Sequence, residues 1–163
     1  LDIQTEKTVV SDIVVDNSFV SPMEGNVIPL SEVDDKVFSS GMMGKGFAVE
    51  LSDGKVVSPV NGTIVMTFPT KHAYGIKTDD GVEILVHIGM DTVELEGKGF
   101  TSHVENDQRI NKGDLLCSVD LETIKAAGKS LVSTVVITSG QDVKLLVSGK
   151  VNKNQENIVE IGG

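Results

Sequence analysis

Short runs rich in valine and isoleucine recur along the chain, and glycine, aspartate and asparagine separate them about every ten residues. The pair Asn61-Gly62 is typical of a tight turn between antiparallel strands. This rhythm predicts an all-β fold, an antiparallel β-sandwich or barrel, with one or two short helical turns at residues 121–129 and near residues 34–40. The predicted strands are residues 27–30, 47–51, 63–67, 75–78, 82–88, 115–119 and 132–138.

A length of 163 residues suits one compact domain. Residues 1–18 are interpreted as a lead-in or linker, and residues 19–163 as a single β-sandwich domain that ends in an edge strand at 159–161. No apolar run is long enough to cross a bilayer, so we expect no membrane insertion. The chain begins at Leu1 rather than at a methionine, which indicates a processed chain or a domain cut from a longer polypeptide.

The formal net charge of -10 excludes nucleic acid as the expected partner, because such a surface repels a phosphate backbone. Arg109 is the only arginine, so positive charge for handling an anion is expected to come from a partner protein. The single cysteine, Cys117, excludes an internal disulfide and fits a reducing cytoplasm. Its apolar neighbours indicate a small core residue rather than a reactive thiol.

Two pairs of segments resemble each other within the chain. Residues 20–25 (VSPMEG) resemble residues 57–62 (VSPVNG), and residues 44–47 (GKGF) are repeated at residues 97–100. The spacings of the two pairs differ, so a solenoid is excluded. We interpret the echoes as a duplicated β motif within one sandwich, and the alternative is two similar turns in an unduplicated fold.

Two of the three histidines are predicted to face each other across a pair of strands. In the predicted strand 82–88 the even positions are apolar and form the core face, so His87 projects from the opposite face at the strand end. A turn at residues 79–81 pairs this strand with the preceding one and brings His72 roughly opposite His87. The third histidine, His103, has no partner motif and is interpreted as a surface residue.

A histidine pair of this kind suits phosphoryl transfer. The imidazole of His87 titrates near neutral pH, so its neutral nitrogen can attack phosphorus, while His72 can donate a hydrogen bond to phosphoryl oxygens. The hydroxyl of Thr70 can fix the tautomer of His72, and Asp91 can orient a ring or bind a cationic partner group. The pattern alone leaves other readings open, namely an exposed histidine without function, a zinc site, and a turn cap at Asp91.

Residues 85–93 (LVHIGMDTV) resemble the phosphorylation-site signature of the glucose-family enzyme IIA domains of the bacterial phosphoenolpyruvate-dependent sugar phosphotransferase system. Residues 70–73 (TKHA) resemble the second-histidine motif of that family, and residues 57–63 its Ser-Pro turn. Residues 35–38 and 42–46 resemble the segment that flanks its site. The likeness extends from about Phe19 to Ser139, and the tail is more divergent.

The resemblance implies a role for individual residues. His87 would be phosphorylated through Nε2, His72 would contact the phosphoryl group, and Thr70 would hold His72. Asp35 and Asp91 would engage positive groups of partners. An apolar ring around the site would dock those partners and consists of Phe38, Met42, Met43, Phe68 and Val93. The implied fold is an antiparallel β-sandwich described as a duplicated hybrid motif.

The resemblance also implies partners. The donor would be the phosphorylated histidine phosphocarrier protein HPr, and the acceptor a cysteine on the IIB domain of a sugar permease, in coupled sugar uptake and phosphorylation. No metal or other cofactor is required for such a transfer, although relatives bind zinc through both histidines and a partner carboxylate, so zinc is allowed at His72 and His87. The isolated domain is expected to be a monomer in the cytoplasm, at the cytoplasmic face of the membrane if it is part of a larger permease.

Two other classes of protein compete with this interpretation. Some zinc peptidases share a duplicated β motif and use a His-x-x-x-Asp pair, which His87 and Asp91 mimic, but the His-x-His pair that they also need is absent around His103. Biotin and lipoyl carriers place the modified lysine in a Met-Lys hairpin, and the chain has no such context.

Overall fold

In a computed structural model, residues 19–162 of the chain are described. The predicted lead-in, residues 1–18, lies outside them. The described part contains two short α-helices, α1 (Lys36–Ser39) and α2 (Leu121–Ala126), and two 3-10 turns, Leu30–Glu32 and Thr92–Leu95. Its strands are β1 Gly25–Pro29, β2 Lys45–Leu51, β3 Lys55–Val57, β4 Gly62–Thr67, β5 Ala73–Lys77, β6 Glu83–His87, β7 Phe100–Ser102, β8 Arg109–Ile110, β9 Leu115–Val119, β10 Val132–Ile137, β11 Asp142–Leu145, β12 Gly149–Val151 and β13 Val159–Gly162.

The strands form three antiparallel sheets. The largest has eight strands in the order β12-β1-β2-β10-β6-β5-β4-β8, a second has the order β3-β9-β7, and β11 pairs with β13. The main apolar core joins side chains of all three sheets, among them Val86 on β6, Leu116 on β9 and Val159 on β13. The predicted all-β antiparallel sandwich is confirmed, and so is the predicted edge strand near the end of the chain.

The opposite face of the eight-stranded sheet carries a second, smaller apolar cluster. There Leu85 of β6 and Val136 of β10 lie beneath Leu30, Val33 and Phe38. The last three belong to residues 30–44, which connect β1 to β2 and are called the covering segment below. Strand β6 therefore packs on both faces, with Val86 toward the main core and Leu85 under the covering segment.

The first of the two sequence echoes reflects a duplicated structure. The hydroxyl of Ser21 donates to the carbonyl of Met23 (2.6 Å), and the hydroxyl of Ser58 donates in the same way to Val60 (2.7 Å). Reciprocal backbone bonds join the two turns, from Val20 N to Pro59 O and from Val57 N to Pro22 O, each 2.9 Å long. Each turn leads directly into a corresponding strand, β1 in one case and β4 in the other.

The strand order of the large sheet shows the same symmetry. Strands β12-β1-β2-β10 form one half, and β8-β4-β5-β6 form the other in the same order from the edge inward. An approximate twofold axis thus passes between β10 and β6, where the two halves pair. The second echo has no such explanation, because residues 44–47 lead into β2 of the large sheet and residues 97–100 lead into β7 of the small one.

Both predicted helical turns exist, and one is shorter than expected. The side chain of Asp120 caps α2 by accepting from the backbone of Glu122 and Thr123. The sequence predicts this helix to residue 129, but it ends at Ala126. Gly128 takes a left-handed conformation (φ 74°), which stops the helix despite the favourable composition beyond it.

Candidate functional site

His87 is the last residue of β6 and stands in a row of small neighbours. Ala73 of β5 and Thr134 of β10 lie directly opposite it on the two flanking strands, and Ala48 of β2 follows Thr134. Side chains directly opposite each other in antiparallel strands lie on the same face of the sheet. The short side chains on either side leave room for the imidazole ring on the face that the covering segment partly closes.

His72 lies against His87, as the sequence predicts. The ring centroids are 5.0 Å apart and the rings are nearly perpendicular, at 88°. The predicted pairing is off by one residue, because Ala73 and not His72 lies directly opposite His87, and strict alternation along β5 would turn His72 to the opposite face. His72 instead precedes the strand, after Lys71 in a left-handed conformation (φ 65°), and its carbonyl still accepts from Ile88 N at 2.7 Å. This local break in the strand pattern is what brings the two rings together.

The surroundings of His72 keep its imidazole neutral. The ring is buried, with 3 % of the residue exposed, and Phe68 packs edge-on against it at 5.3 Å between centroids. Burial, together with the smaller effect of a charge on His87, lowers the pKa of His72 to about 4. The predicted partner Thr70 is in place, because its Oγ1 lies 2.7 Å from Nδ1 of His72. With Nδ1 engaged by this hydroxyl, Nε2 is the nitrogen that remains for a ligand.

The two nitrogens of His87 have different surroundings. Nδ1 is buried and has no hydrogen-bond partner of good geometry within residues 19–162, while the residue as a whole is only half-buried. Nε2 is therefore the nitrogen on the accessible side. Burial lowers the pKa of His87, and the backbone carbonyl of Gly89, followed by the carboxylates of Asp35 and Asp91, acts in the opposite direction. The net lowering favours a neutral ring with a free lone pair at neutral pH.

The two predicted carboxylates, of Asp35 and Asp91, lie near enough to His87 to raise its pKa. Asp35 caps α1, since its carboxylate accepts from Val37 N at 2.9 Å. Asp91 has a left-handed backbone (φ 60°) and begins the 3-10 turn Thr92–Leu95. The carboxylate of Asp35 is thus held by the backbone of α1, whereas Asp91 makes no such capping bond and is placed by its own left-handed backbone.

The predicted apolar ring is graded in depth. Met42 and Val93 are the exposed members, with 77 % and 50 % of each residue exposed. Met43 and Phe68 are partly buried against the second apolar cluster. Phe38 is buried and contacts the ring of His87, at 5.0 Å between centroids. Phe38 thus lies under the surface beside the histidine, and the accessible apolar groups are the others.

Several residues at the site were not predicted. Val37, in the same helical turn as Phe38, is 46 % exposed and extends the apolar surface. Two buried hydroxyls, of Thr92 and Ser133, bond to the backbone that follows His87. Ser133 could have been found as one of two polar residues, with Thr134, in the mainly apolar strand β10, whereas Thr92 carried no signal of its own.

Among residues 19–162, no third metal-ligating side chain joins His72 and His87. Within residues 19–162 no group of three or more His, Cys, Asp or Glu side chains is placed to hold a metal ion. His72 and His87 are therefore two ligands for which this part of the chain offers no third. Cys117 is buried, and burial raises the pKa of its thiol, as expected for a core residue. His103 is exposed, with Nε2 2.9 Å from Oγ of Ser118.

Comparison with known proteins decides between the classes that the sequence left open. Residues 17–143 match the family described as the phosphoenolpyruvate-dependent sugar phosphotransferase system, EIIA 1. The chain belongs to this EIIA family. It is thus a phosphotransferase component of a sugar phosphotransferase system, and the zinc peptidase and biotin or lipoyl carrier alternatives are excluded as its family.

Relatives of this EIIA chain include much longer proteins. It is 55 % identical over 119 residues to the "PTS system beta-glucoside-specific EIIBCA component" of Bacillus subtilis (strain 168), which covers 73 % of the chain and 20 % of that protein. It is 53 % identical over 124 residues to the "PTS system glucose-specific EIICBA component" of Streptococcus pneumoniae, covering 76 % of the chain and 17 % of that protein. The chain thus spans about a fifth of the length of these relatives.

A solved structure shares the fold of this EIIA chain. The glucose permease IIA from Mycoplasma capricolum superposes with a TM-score of 0.81 at 42 % sequence identity, covering 88 % of this chain and 93 % of that one. Between residues 19 and 162, no helix has the length and apolarity needed to cross a membrane.

Proposed function

We propose that His87 accepts a phosphoryl group on Nε2 and passes it to a second protein. The observation that carries this proposal is the asymmetry of the His87 ring, whose Nδ1 is buried while the residue as a whole is only half-buried beside the ring of His72. A nucleophilic nitrogen must be neutral and accessible, and the lowered pKa of His87 supports the first condition at neutral pH.

The transfer needs no atom that the two proteins do not supply. The lone pair of Nε2 attacks the phosphorus of a phosphohistidine donor, an N–P bond forms, and the electron pair of the breaking N–P bond returns to the donor ring. The proton on Nδ1 of His87 stays in place throughout. In the second step a cysteine thiolate attacks the same phosphorus, an S–P bond forms, and His87 recovers its lone pair. Positioning and charge stabilisation are the main demands of both steps.

His72 and Thr70 are proposed to stabilise the transferred group. If Oγ1 of Thr70 donates to Nδ1 of His72, the proton of His72 resides on Nε2, where it can be donated to a phosphoryl oxygen. A neutral donor held by burial does not need to lose water when charge develops in the transition state. His72 is then more important for passing the group on than for receiving it.

The proposed donor is phosphorylated HPr, and the proposed acceptor is a cysteine of a IIB domain. Asp35 and Asp91 supply negative charge beside His87, and the chain carries a net charge of -10, which suits a partner that brings cationic groups. Exposed Met42, Val93 and Val37 supply an adaptable apolar contact. Such a transient interface suits a monomeric domain working in the cytoplasm. The relatives named above act on glucose and on β-glucosides, and the sugar is proposed to be selected by other domains of the same system.

No resident metal is proposed for the transfer. A zinc ion at His72 and His87 would take its remaining ligands from a partner protein, because the described residues supply only the two imidazoles. Titration of the isolated domain with zinc should then give weak binding that a carboxylate-bearing partner strengthens, whereas tight binding by the domain alone would contradict this.

Intact-protein mass spectrometry tests the proposal. The domain is incubated with phosphoenolpyruvate, enzyme I and HPr at mildly alkaline pH, and we expect the mass of one phosphoryl group to be added to the wild type and not to His87→Ala. His72→Ala should still accept the group and fail to transfer it to a IIB domain. Phosphorylation of His87→Ala at the wild-type rate, or a folded wild type that takes up no group from a cognate donor, would rule the proposal out.

A further inference from the structure

The loop that carries His72 contains a strained residue. Lys71 has a left-handed backbone (φ 65°), a conformation that a lysine rarely adopts and that persists only where neighbouring contacts hold it. This conformation turns the ring of His72 toward His87. If Lys71 relaxed to a negative φ, the strand pattern would carry His72 to the opposite face of the sheet. The contacts that hold Lys71 therefore decide whether the two rings meet.

Three backbone bonds tie this loop to itself and to the residue after β6. Lys71 N donates to the carbonyl of Phe68 (2.8 Å), which closes a tight turn, and Phe68 N donates to the carbonyl of Ala73 (3.2 Å). Ile88 N donates to the carbonyl of His72 (2.7 Å). These bonds fix both ends of the loop. None of the three involves the carbonyl of Lys71, which belongs to the peptide group that leads into His72.

The carbonyl of Lys71 is held from the second sheet. The thiol of Cys117, in β9, donates to it with 3.7 Å between sulfur and oxygen, a distance that a thiol can span because sulfur is a large atom. The carbonyl of Ser118 lies 3.6 Å from the same sulfur and shares the thiol proton. Cys117 is fully buried in the main core, so water does not reach the thiol. The bond to Lys71 thus joins the loop to the sheet β3-β9-β7.

A held carbonyl fixes the direction of the residue that follows it. The oxygen of Lys71 and the N–H of His72 lie in one rigid peptide plane. This plane turns only through ψ of Lys71 and φ of His72, and a bond at its oxygen opposes that rotation. The same two angles set the direction in which the side chain of His72 leaves the backbone. Cys117 thus acts on the ring of His72 through the backbone.

We propose that Cys117 is a positioning residue for His72: its thiol holds the carbonyl of Lys71, keeps the left-handed turn, and so keeps the ring of His72 beside that of His87. The part of His72 in onward transfer rests on the function proposed above, whereas the position of its ring does not. The role requires a neutral thiol as donor. Burial raises the pKa of Cys117 and so favours that form, which is the opposite of what a nucleophilic cysteine needs.

A small set of variants separates the hydrogen bond from the packing of the core. Cys117→Ala removes the donor and leaves a small gap, whereas Cys117→Ser keeps a donor at the same place. Val159→Ala is the matched control, because Val159 is also buried in the main core but lies on β13, in another sheet. Cys117→Val also lacks a donor and fills the space, so it replaces the alanine variant if that variant does not fold.

The test combines NMR of the unphosphorylated protein with single-turnover transfer. In the wild type, Cys117→Ser and Val159→Ala, nuclear Overhauser effects should connect the ring protons of His72 and His87, whose centroids lie 5.0 Å apart. In Cys117→Ala these effects should fall by more than half. Transfer to a IIB domain should slow about fivefold, as expected for one weak hydrogen bond, while phosphorylation by HPr stays within about twofold. Backbone amide spectra and urea unfolding show which variants are folded.

Each readout can overturn the inference separately. Overhauser effects of wild-type strength in folded Cys117→Ala would show that the thiol does not position His72, whatever the rate of transfer. An equal loss of transfer in Val159→Ala would assign the effect to the core as a whole, and an equal loss in Cys117→Ser would reject the hydrogen bond. A wild type that shows the expected ring contacts but is not phosphorylated at His87 would leave the positioning role intact and reject the proposed function.

Discussion

At the scale of single residues, the two histidines have different surroundings. His72 is kept neutral by burial and held through Nδ1 by Thr70, whereas His87 is only half-buried and its buried Nδ1 has no hydrogen-bond partner within residues 19–162. Because both pKa values are lowered, neither ring is expected to carry a charge at neutral pH. A neutral pair avoids mutual repulsion and leaves one nitrogen free for attack.

The buried state of His72 predicts a loss of stability in acid. Its pKa is about 4 in the folded protein and about 6.5 in an unfolded chain, so the unfolded state binds more protons between these values. Its contribution to the free energy of unfolding is complete above pH 6.5 and is lost as the pH falls toward 4, by an amount on the order of 3 kcal/mol. Urea unfolding at pH 7 and pH 4 should show this drop, and His72→Gln should show a clearly smaller one.

The exposed histidine provides the control for this experiment. His103→Gln removes one imidazole and leaves His72 in place, so the variant should retain the drop of the wild type. If His72→Gln and the wild type lose the same stability between pH 7 and pH 4, His72 is not buried as a neutral ring.

The hydroxyl of Thr70 is predicted to matter for onward transfer. Thr70→Val keeps the shape of the side chain and removes the bond to Nδ1 of His72, so the proton of His72 is no longer directed to Nε2. Single-turnover transfer to a IIB domain should slow about tenfold, as expected for one lost hydrogen bond, while Thr70→Ser should restore most of the rate. Equal rates for Thr70→Val and Thr70→Ser would show that the bond has no part in the transfer.

At the scale of elements, the site is assembled from three connections around one sheet end. Residues 68–72, between β4 and β5, bring Thr70 and His72, and the turn after β6 brings Gly89 and Asp91. The covering segment crosses the outer face of the sheet and places Phe38 against His87. The strands supply a fixed frame. Residues 68–72 contribute a hydrogen-bond donor, the turn after β6 contributes backbone and carboxylate groups, and the covering segment contributes an apolar contact.

The exposed end of the covering segment is predicted to contact the donor protein. Met42→Lys should lower kcat/KM for phosphorylation by HPr about tenfold, because it removes an apolar contact and adds a charge that repels a cationic partner. Leu146→Lys is the matched control, since Leu146 is also an exposed large apolar residue and lies outside the histidine site. The free energy of unfolding of both variants should lie within about 0.5 kcal/mol of the wild-type value. An equal fall in kcat/KM for the two would show that the effect is one of overall charge.

Much of this frame could be predicted from the sequence. All seven strands predicted from the runs of valine and isoleucine lie within two residues of observed strands, and the echo at residues 20–25 and 57–62 indicated the duplication. The face of His72 could not be derived in this way. It depends on a left-handed Lys71, a conformation that a lysine does not signal.

Other features depended on contacts between distant parts of the chain. Phe38 belongs to an exposed-looking helical turn, and only the path of the covering segment over the sheet buries it against His87. Ser133 meets the backbone of Gly89 across a separation of 44 residues, so no local pattern could reveal the pair. Tertiary packing determines which of these distant residues come into contact, and the sequence alone does not show that packing.

At the scale of the whole molecule, the twofold arrangement distributes stability between two similar turns. Ser21→Ala and Ser58→Ala each remove a buried hydroxyl that donates to the carbonyl two residues on, and each should lower the free energy of unfolding by about 1–3 kcal/mol. The two values should agree within about 1 kcal/mol because the turns are equivalent. Ser52→Ala, at an exposed site, should change little. If urea unfolding shows a lower free energy of unfolding for only one of these two variants, the turns are not equivalent.

The same twofold relation also places contact with a partner and the handling of the phosphoryl group on two different connections of the chain. The connection between β4 and β5 and the connection between β1 and β2 occupy equivalent places in the two halves, yet the first is short and carries His72, and the second is long and carries Met42. Its inner residues, such as Phe38, pack against the strands and His87, whereas Met42 is exposed and can change without disturbing those contacts. The surface that meets a partner and the imidazole that faces the phosphoryl group are thus carried by separate connections, so a substitution at Met42 can alter the choice of partner while leaving His72 in place.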